Sequence, residues 1–590
     1  MKTINARKGG KKSGGEDVRL ENLRRACAFV LANAVSVSFP EAVPVGGSVT
    51  PNGFFYDFDF RRPFNADDIK SIEKEMRKIT GRNEKFEKQD VPGERIRGMF
   101  TNAFKREALG EEPRLYQLGG FRETASGELV CAAGIVSAFK LTSASPVYWK
   151  GDSNNPQLQR VYGVAFGADA HLQDFLARQA EADARDHRKI GKKLGLFFFP
   201  ETSPGGAIFL PKGAAMVNAL QGYLRGVYTS GEFGSYSEVN TPQLYDRSLW
   251  ETSGHWPLYK KEMFVFENEG KEYALKPMNC PSHCLIYQNE PRSYKDLPLR
   301  IADFGCLHRN ELSGALSGLL RVRKLSQDDA HIFCRPDQIE DEIRNVLKFS
   351  ERVWTEFLGF DLKYVVSTRP RESIGSDELW EKAESRLEMA LKNAGIPYGI
   401  NQGDGAFYGP KIDMYAKDAL GREWQGPTVQ LDFNLPERFG LEYIDENGQK
   451  QRPVMIHRVV LGSLERFIGV ITEHFGGRFP LWLSPEQVRV VSVSESFVPF
   501  AKSVVKALSD SGMRVGSDFE RESVSRKIRE AQTQYVNYTV VIGAEETVSG
   551  RISVRNRDTG EVSKKSIEEF IYQLTDEIRH PRKPLAPREQ

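Results

Sequence analysis

The sequence predicts a multidomain protein of mixed α+β and α/β class. An α+β module comes first, an antiparallel-sheet domain lies in the middle and a small α/β domain comes last. Three observations carry this. The chain has 590 residues, which at roughly 100–200 residues per domain makes about three to five domains. Over 205–483, strand-like segments follow one another without regular βαβ alternation, the pattern of an antiparallel sheet. Over 486–580, strand and helix patterns alternate across short loops, the pattern of a small parallel-type α/β domain.

The elements can be justified in order. Residues 37–40 and 54–60 read as strands. Residues 65–79 read as a helix, because Asn65 is a good N-cap and acids fill the first turn. Residues 169–193 predict one long polar helix. Its apolar spots, Leu172, Phe175, Leu176 and Ile190, are too sparse for a buried face and suit a helix bridging domains. In the middle block 214–230 is helical and 236–242 a strand. Leu461, Leu464, Phe467, Ile468 and Ile471 recur at three and four, an amphipathic helix that Gly476 and Gly477 end. In the last block, strands at 487–493, 513–518 and 538–543 alternate with helices at 498–509, 524–534 and 567–578.

Lys plus Arg number 82 and Asp plus Glu 80, a net charge of +2. That excludes a histone-like protein but not nucleic acid bound on a local patch. The basic excess sits at the ends: residues 1–25 hold eight basic and three acidic residues, and 579–590 four basic and one acidic. The first stretch lacks helical apolar periodicity and is expected to be a disordered, solvated tail. A nucleic-acid arm or an organellar presequence is its functional reading. No apolar run reaches the ~18–20 residues of a membrane helix. Six cysteines without a CxxC pair fit a reducing, cytoplasmic compartment rather than a disulfide framework.

The richest window is 300–334, RIADFGCLHRNELSGALSGLLRVRKLSQDDAHIFC. The stretch around 304–311 reads as a strand, SGALSG as a loop and 319–333 as the returning strand. Side chains two apart share a strand face, so Arg321, Arg323, Leu325, Gln327, Asp329 and His331 are expected to project together, provided no bulge intervenes. Arg309 and Glu311 share a face of the first strand. So polar a face is costly to bury without a ligand. Guanidinium forks suit a polyphosphate, yet neither GxxxxGK[ST] nor GxGxxG occurs. A sheet-and-arginine mode of ATP binding follows. LKPMNCPSHCLIY offers Cys280, His283 and Cys284 as metal candidates, with His331 and His457 as others. A catalytic zinc needs three N/S ligands, which can be scattered, and spacing alone does not join these. Arg466 lies near the start of the amphipathic helix. NQGDGAFYGPK carries Tyr408 and Lys411 in a Gly-rich turn.

Together these segments make the chain resemble the threonyl-tRNA synthetases, a family of class II aminoacyl-tRNA synthetases, over about residues 20–580. The helix and strand ending at Pro242 resemble the family's first motif, which builds a dimer interface. FGCLHRNELSG through RVRKLSQDDAHIFC resembles the second, and HRVVLGSLERFIG the third. LKPMNCPSH and GAFYGPKID resemble segments particular to the threonyl branch.

The resemblance implies a basic tail over 1–20, an editing-like α+β domain over 21–168, a linker helix over 169–200, a class II catalytic domain over 201–484 and an anticodon-binding domain over 485–590. It implies a homodimer that joins L-threonine to tRNA(Thr) with ATP and magnesium, and one zinc on Cys280, His331 and His457. By position, Arg309 would contact the α-phosphate and the amino-acid carboxylate, Glu311 the adenine amino group, and Arg321 and Arg466 the γ-phosphate. Gln327, Asp329 and Tyr408 would surround threonine, with Lys411, Gln425 and Gln430 lining the site. His255 would help to activate the tRNA terminal ribose. Glu546 and Arg555 would read anticodon bases, a role that suits base-edge hydrogen bonding.

The sequence also departs from the family. Serine has threonine's hydroxyl and lacks one methyl, worth about 1–3 kcal/mol of discrimination, so serine errors need correction. The family's bacterial members correct them with an HxxxH pair and a later Cys/His motif. Here Arg25 and Phe29 stand where the two histidines would be, and the first histidine of the chain is His171. Cys131 remains without a His in GELVCAAGIVSAFKL. A retained editing fold without editing chemistry is expected. A counterpart of the small ubiquitin-like N-terminal domain of many relatives is not expected within these residues. Leu325 replaces an aromatic that stacks on adenine, and Ser282 replaces a glycine beside Cys280.

Overall fold

The computed structural model describes residues 14–152 and 154–580. Residues 1–13 and 581–590, with much of the basic charge at the two ends, lie outside the described residues, and so does that part of the tail expected over 1–20. The chain divides into two compact units, the first ending at Glu181 and the second beginning at Ala182.

The first unit opens on α1 (Gly14–Ser38). Two expectations fail here. Residues 14–20 are not tail but the first turns of α1, and 37–40 is its end and a turn rather than a strand. Residues 26–35 are all buried, which is what an all-round apolar helix requires, and helix propagation outward from such a core overrides the strand-like alternation of VSVSF. Two strands follow, β1 (Val43–Thr50) and β2 (Gly53–Asp59). The next helix, α2 (Ala66–Gly81), is capped as expected. Asn65 Oδ1 accepts from the Asp67 and Asp68 N–H groups at 2.9 Å each, and Asp68 Oδ2 accepts from the Asn65 N–H at 2.8 Å. The rest of the unit includes β3 (Glu87–Gln89), α3 (Ala103–Ala108), β4 (Arg114–Leu118), β5 (Phe121–Ala125), β6 (Phe139–Tyr148) and β7 (Gln157–Ala165). The main sheet runs β1-β2-β7-β6, antiparallel throughout. Phe54, Tyr56 and Phe58 alternate onto one face of β2, in one core with Ile72 and Met76 of α2.

Between the units the expected single helix is two, α4 (Asp169–Ala184) and α5 (His187–Leu194). Asp186 breaks it: its side chain accepts from the Arg188 N–H at 2.8 Å and caps α5. The sparse apolar spots sort accordingly. Leu172, Phe175 and Leu176 pack with Ala138 and Val164, whereas Ile190 joins the main core of the second unit.

In the second unit α6 (Pro211–Ser230) leads to a nine-stranded sheet. Its strands are β8 (Ser237–Glu238), β9 (Leu299–Asp303), β10 (Cys306–His308), β11 (Lys324–Cys334), β12 (Asp361–Ser367), β13 (Tyr398–Asn401), β14 (Lys411–Lys417), β15 (Glu423–Asp432) and β16 (Val454–Ser463). The order is β8-β9-β11-β16-β15-β14-β12-β13, with β10 paired to β11. All pairs are antiparallel except the two at the ends. The strands expected over 304–311 and 319–333 are shorter. Only 306–308 and 324–334 pair, so Arg309, Glu311, Arg321 and Arg323 sit on the connecting loop rather than in strand alternation. Four helices frame the sheet: α7 (Cys280–Gln288), α8 (Ile339–Glu351), α9 (Asp377–Asn393) and α10 (Leu464–Phe475).

The last domain has β17 (Val488–Ser492), α11 (Val498–Asp510), β18 (Val515–Asp518), α12 (Val524–Thr533), β19 (Tyr538–Ile542), α13 (Ala544–Ser549), β20 (Ile552–Asn556), β21 (Val562–Lys565) and α14 (Ile567–Arg579). The order is β18-β17-β19-β20-β21. The first three strands are parallel, as expected, and β20 and β21 add an antiparallel edge.

Inside the first unit, Lys105 of α3 pairs with Glu123 of β5, and both are almost fully buried. Tyr56 Oη accepts from Lys105 Nζ at 3.4 Å. Breaking a buried pair leaves an unpaired charge and costs about 3–5 kcal/mol. A Glu123→Ala variant is therefore expected to unfold its first unit at clearly lower urea than the parent. A superimposable urea curve would contradict this.

Candidate active site and metal centre

Strand register assembles the site. Across four neighbouring strands the directly opposed residues are His331 on β11, His457 on β16, Gln430 on β15 and Lys411 on β14. Opposed residues share a face at strand spacings of about 4.8 Å. One row of the sheet thus brings together four of the residues singled out from sequence. Beside it runs a second row, Asp329, Val459, Thr428 and Asp413. Cys280 is the first residue of α7, and Asn279 before it donates to Asp329 Oδ2 at 3.0 Å.

Cys280, His331 and His457 converge, with one ligand atom from each lying within 4.8 Å of the others, all buried. Asp432 Oδ2 lies 2.9 Å from His457 Nε2, so that nitrogen carries the proton and Nδ1 keeps its lone pair. His331 Nδ1 lies 2.7 Å from His283 Nδ1, and His283 Nε2 has no hydrogen-bond partner among the described residues. His331 Nε2 lies 2.9 Å from His457 Nδ1. Two imidazole nitrogens held together with a thiol form a donor set for a cation such as zinc. Burial pushes the His331 pKa far down, so the ring is neutral, as ligation requires.

The substrate-facing groups are held from behind. Tyr408 stacks on His457 with ring centroids 4.7 Å apart and donates to Gln430 Oε1 at 2.7 Å. Burial raises the pKa of Asp329. Gln327 lies two residues before it on the same face, and Leu325 two further, closed into a small cluster with Leu307, Val322 and Phe199. Ser282 donates to Tyr245 Oη at 2.8 Å, so the structure accommodates this departure with a hydrogen bond. His255 is fully buried, its Nδ1 2.8 Å from Ser253 Oγ and its Nε2 3.3 Å from Met278 Sδ. Burial, then His457 and Arg438, push its pKa down to about 3.

Arg309, Arg321 and Arg466 form the cationic side. Glu311 Oε2 accepts from Arg321 Nε at 2.8 Å. Arg309 Nε is buried and has no hydrogen-bond partner among the described residues. Arg466 reaches solvent, yet burial of its stem, then Arg321 and Arg309, lower its pKa. Guanidinium groups that repel one another with a single carboxylate between them suit a polyanion.

Three buried residues were missed from sequence. Asp413 Oδ1 accepts from Gln425 Nε2 at 2.8 Å and Thr428 Oγ1 at 3.1 Å, while Oδ2 takes Ser367 Oγ and Lys411 Nζ at 2.7 Å each. It thereby orients the expected Lys411 and Gln425. Its position two residues past Lys411 was the available signal. Asp328 accepts from the N–H groups of Val460, Leu461 and Gly462 at 2.9–3.0 Å, and Arg458 Nη1 donates to it at 3.2 Å. An acid between two site residues and an arginine directly after His457 were the only hints.

In the last domain Glu546 Oε1 accepts from Ser553 Oγ at 2.6 Å. Ser553 and Arg555 share a face of β20, so the expected anticodon pair lies on one side of that strand.

Comparison with known proteins agrees with this architecture. Residues 259–475 match the tRNA synthetase class II core domain (G, H, P, S and T), and 487–577 the anticodon binding domain. A threonine–tRNA ligase of Clostridioides difficile (strain 630) is 44% identical over 566 residues, 95% of this chain and 88% of that protein. The chain belongs to the threonine–tRNA ligase family. The threonine–tRNA ligase of Carboxydothermus hydrogenoformans is also 44% identical, over 96% of this chain and 90% of its own length. The crystal structure of the RNA binding domain of threonyl-tRNA synthetase from Cryptosporidium parvum Iowa II superposes with a TM-score of 0.64 at 46% identity, covering 66% of this chain and 98% of that one. Membership of the threonine–tRNA ligases accounts for the antiparallel catalytic sheet and the α/β domain after it. No described helix is long and apolar enough to cross a membrane.

His255, at about 3, and His474, pushed down by burial to about 4, titrate below the ordinary histidine value near 6.5. The unfolded chain binds more protons between those values, so their contribution to stability is complete above about pH 6.5 and is lost as pH falls toward 4. The thermal midpoint is expected to fall over that window. His255→Gln should flatten the slope; an equal slope in parent and variant would contradict the assignment.

Proposed function

We propose that this threonine–tRNA ligase activates L-threonine on the two-row face of its catalytic sheet, with a zinc on Cys280, His331 and His457, and that its first unit does not clear seryl-tRNA(Thr). The observation that carries the site reading is the convergence of two imidazole nitrogens, 2.9 Å apart, with a thiol, the imidazoles in the same row as Gln430 and Lys411. When bound, zinc would supply a Lewis-acid position for the amino and hydroxyl groups of threonine.

The chain's own residues do the rest. Asp329, held by Asn279, accepts the threonine hydroxyl proton in a hydrogen bond. Gln327, Tyr408 and Gln430 border the amino acid. A site built to bind a hydroxyl rejects valine, which is isosteric but lacks one, by ~10⁴-fold or more. Arg309 spans the threonine carboxylate and the α-phosphate, and Arg321 and Arg466 neutralise the outer phosphates together with magnesium. Glu311 takes the adenine amino group, with Leu325 behind the base. Lys411 and Gln425 are held in place by Asp413. The carboxylate attacks the α-phosphorus and pyrophosphate leaves, so positioning and charge stabilisation suffice. His255, neutral across the physiological range, serves the later transfer to the tRNA ribose. Glu546 and Arg555 read the anticodon.

The loss of editing rests on the first unit. Arg25 and Phe29 of α1 line a narrow space with Tyr56, Thr124, Ala125 and Ser126, with room for about one water. No histidine precedes His171. The expected remnant Cys131 is exposed and is not among the lining residues; the end of β5 forms the wall instead. A homodimer built on the segment ending at Pro242, in a cytoplasmic compartment that suits six free cysteines, completes the reading.

ATP–pyrophosphate exchange is expected with threonine, weakly with serine and not with valine. Cys280→Ala should lose stoichiometric zinc and threonine-dependent exchange together; undiminished zinc would refute the ligand set. For editing, purified protein added to seryl-tRNA(Thr) is expected to leave its deacylation at the buffer rate. Rapid release of serine would overturn that part of the proposal.

A further inference from the structure

The loop between Arg309 and Lys324 carries two of the proposed phosphate-binding arginines, and one of its ends is tied to a residue outside the site. The Leu319 N–H donates to His187 Nε2 at 3.0 Å. On the other side of the same ring, His187 Nδ1 lies 2.6 Å from Glu473 Oε1. Because Nε2 accepts, the proton must be on Nδ1, and Nδ1 donates to Glu473. Glu473 is a residue of α10, the helix whose first turn carries Arg466. It is fixed in turn by Arg422 at 2.7 Å. His187 is 2% exposed and sits at the start of α5, before the catalytic sheet begins.

The packing leaves the loop no slack at this point. Gly318 has φ +51°, and a Cβ there would lie 2.3 Å from His187 Nε2. Gly469 on α10 is likewise closed in by Leu319, Leu320 and His187. Two residues after Leu319, the Arg321 carbonyl accepts from the Ser317 N–H at 3.2 Å. The hydrogen bond to His187 therefore sets the height of a tight turn whose next side chain is Arg321. Asp186, His187 and Glu473 also cluster as a cation site would. Both imidazole nitrogens already carry hydrogen bonds, however, so no lone pair is left for an ion.

We propose that His187 is a positioning residue for ATP: its ring joins α10 to the arginine loop, and so fixes Arg321 relative to Arg466. The inference rests on the reading of these arginines as phosphate contacts, and it adds to that reading a residue of the inter-unit segment.

The test uses the full chain and three variants. Hydrogen exchange of the peptide covering 312–322 is measured without ligand, and KM for ATP and for threonine is measured in pyrophosphate exchange. His187→Ala is expected to speed exchange of that peptide and to raise KM for ATP by roughly five- to tenfold, as for one lost hydrogen bond, leaving KM for threonine and zinc content unchanged. His187→Gln, whose amide offers one donor and one acceptor, should stay within about threefold of the parent. Gly318→Ala, which leaves His187 in place but drives a methyl against its ring, should reproduce the His187→Ala pattern and carries the test if that variant fails to fold. Unchanged exchange of the peptide would overturn the anchor. Faster exchange with an unchanged KM for ATP would leave the anchor standing and overturn its role in ATP positioning, while the phosphate reading of Arg321 would stand. Equal rises in both KM values would overturn the positioning role.

Discussion

The catalytic face depends on one buried carboxylate. Asp328 points away from the site, into the core side of β11, and gathers three consecutive N–H groups of β16. Between Gln327 and Asp329 the register against β16 jumps from Ser463 to Val459. The extra residues are the bulge that Asp328 fills, so three donors that pairing strands would have satisfied find a carboxylate instead. Trp354 adds a bond to the Val460 carbonyl at 2.7 Å. Burial raises the pKa of Asp328, and Arg458 and the three amides pull it back. Arg458 is itself enclosed by Tyr228, Tyr236 and Phe349.

That bulge decides how the strand ends. After it the chain reaches Ser463, whose hydroxyl accepts from the Arg466 N–H at 3.0 Å and caps α10. The same β16 carries His457 six residues earlier. One strand thus delivers a metal-ligand candidate to one end of the site and an arginine to the other, and the Asp328 bulge sets the turn between them. The two residues flanking Asp328 are the ones proposed to face the amino acid, opposite to Asp328 because a strand alternates its faces.

Local pattern made much of the fold legible. Helices with clear caps, such as the one that Asn65 starts, and the strand–helix alternation of the last domain follow from propensity and periodicity. What failed was tertiary in origin. The strand expected over 37–40 is helical because the neighbouring apolar run is buried on all sides. The linker helix breaks at Asp186 because a local cap competes with propagation. In the site, residue types announced the arginines, the histidines and the cysteine, and resemblance to a family joined them. The row that brings His331, His457, Gln430 and Lys411 together is a fact of register, which no spacing in the sequence encodes. Asp413 and Arg458 were missed for the same reason: their partners lie on neighbouring strands.

The row has a consequence for synthesis on the ribosome. Its members enter the growing chain far apart, and His457 comes 126 residues after His331. At elongation rates of about 5–20 residues per second, His331 waits roughly 6–25 s for His457. During that interval β11 has no β16 beside it, and the Cys280 thiol lacks the partners that later enclose it. The three-residue donor set is complete only when the central strand of the sheet has been made.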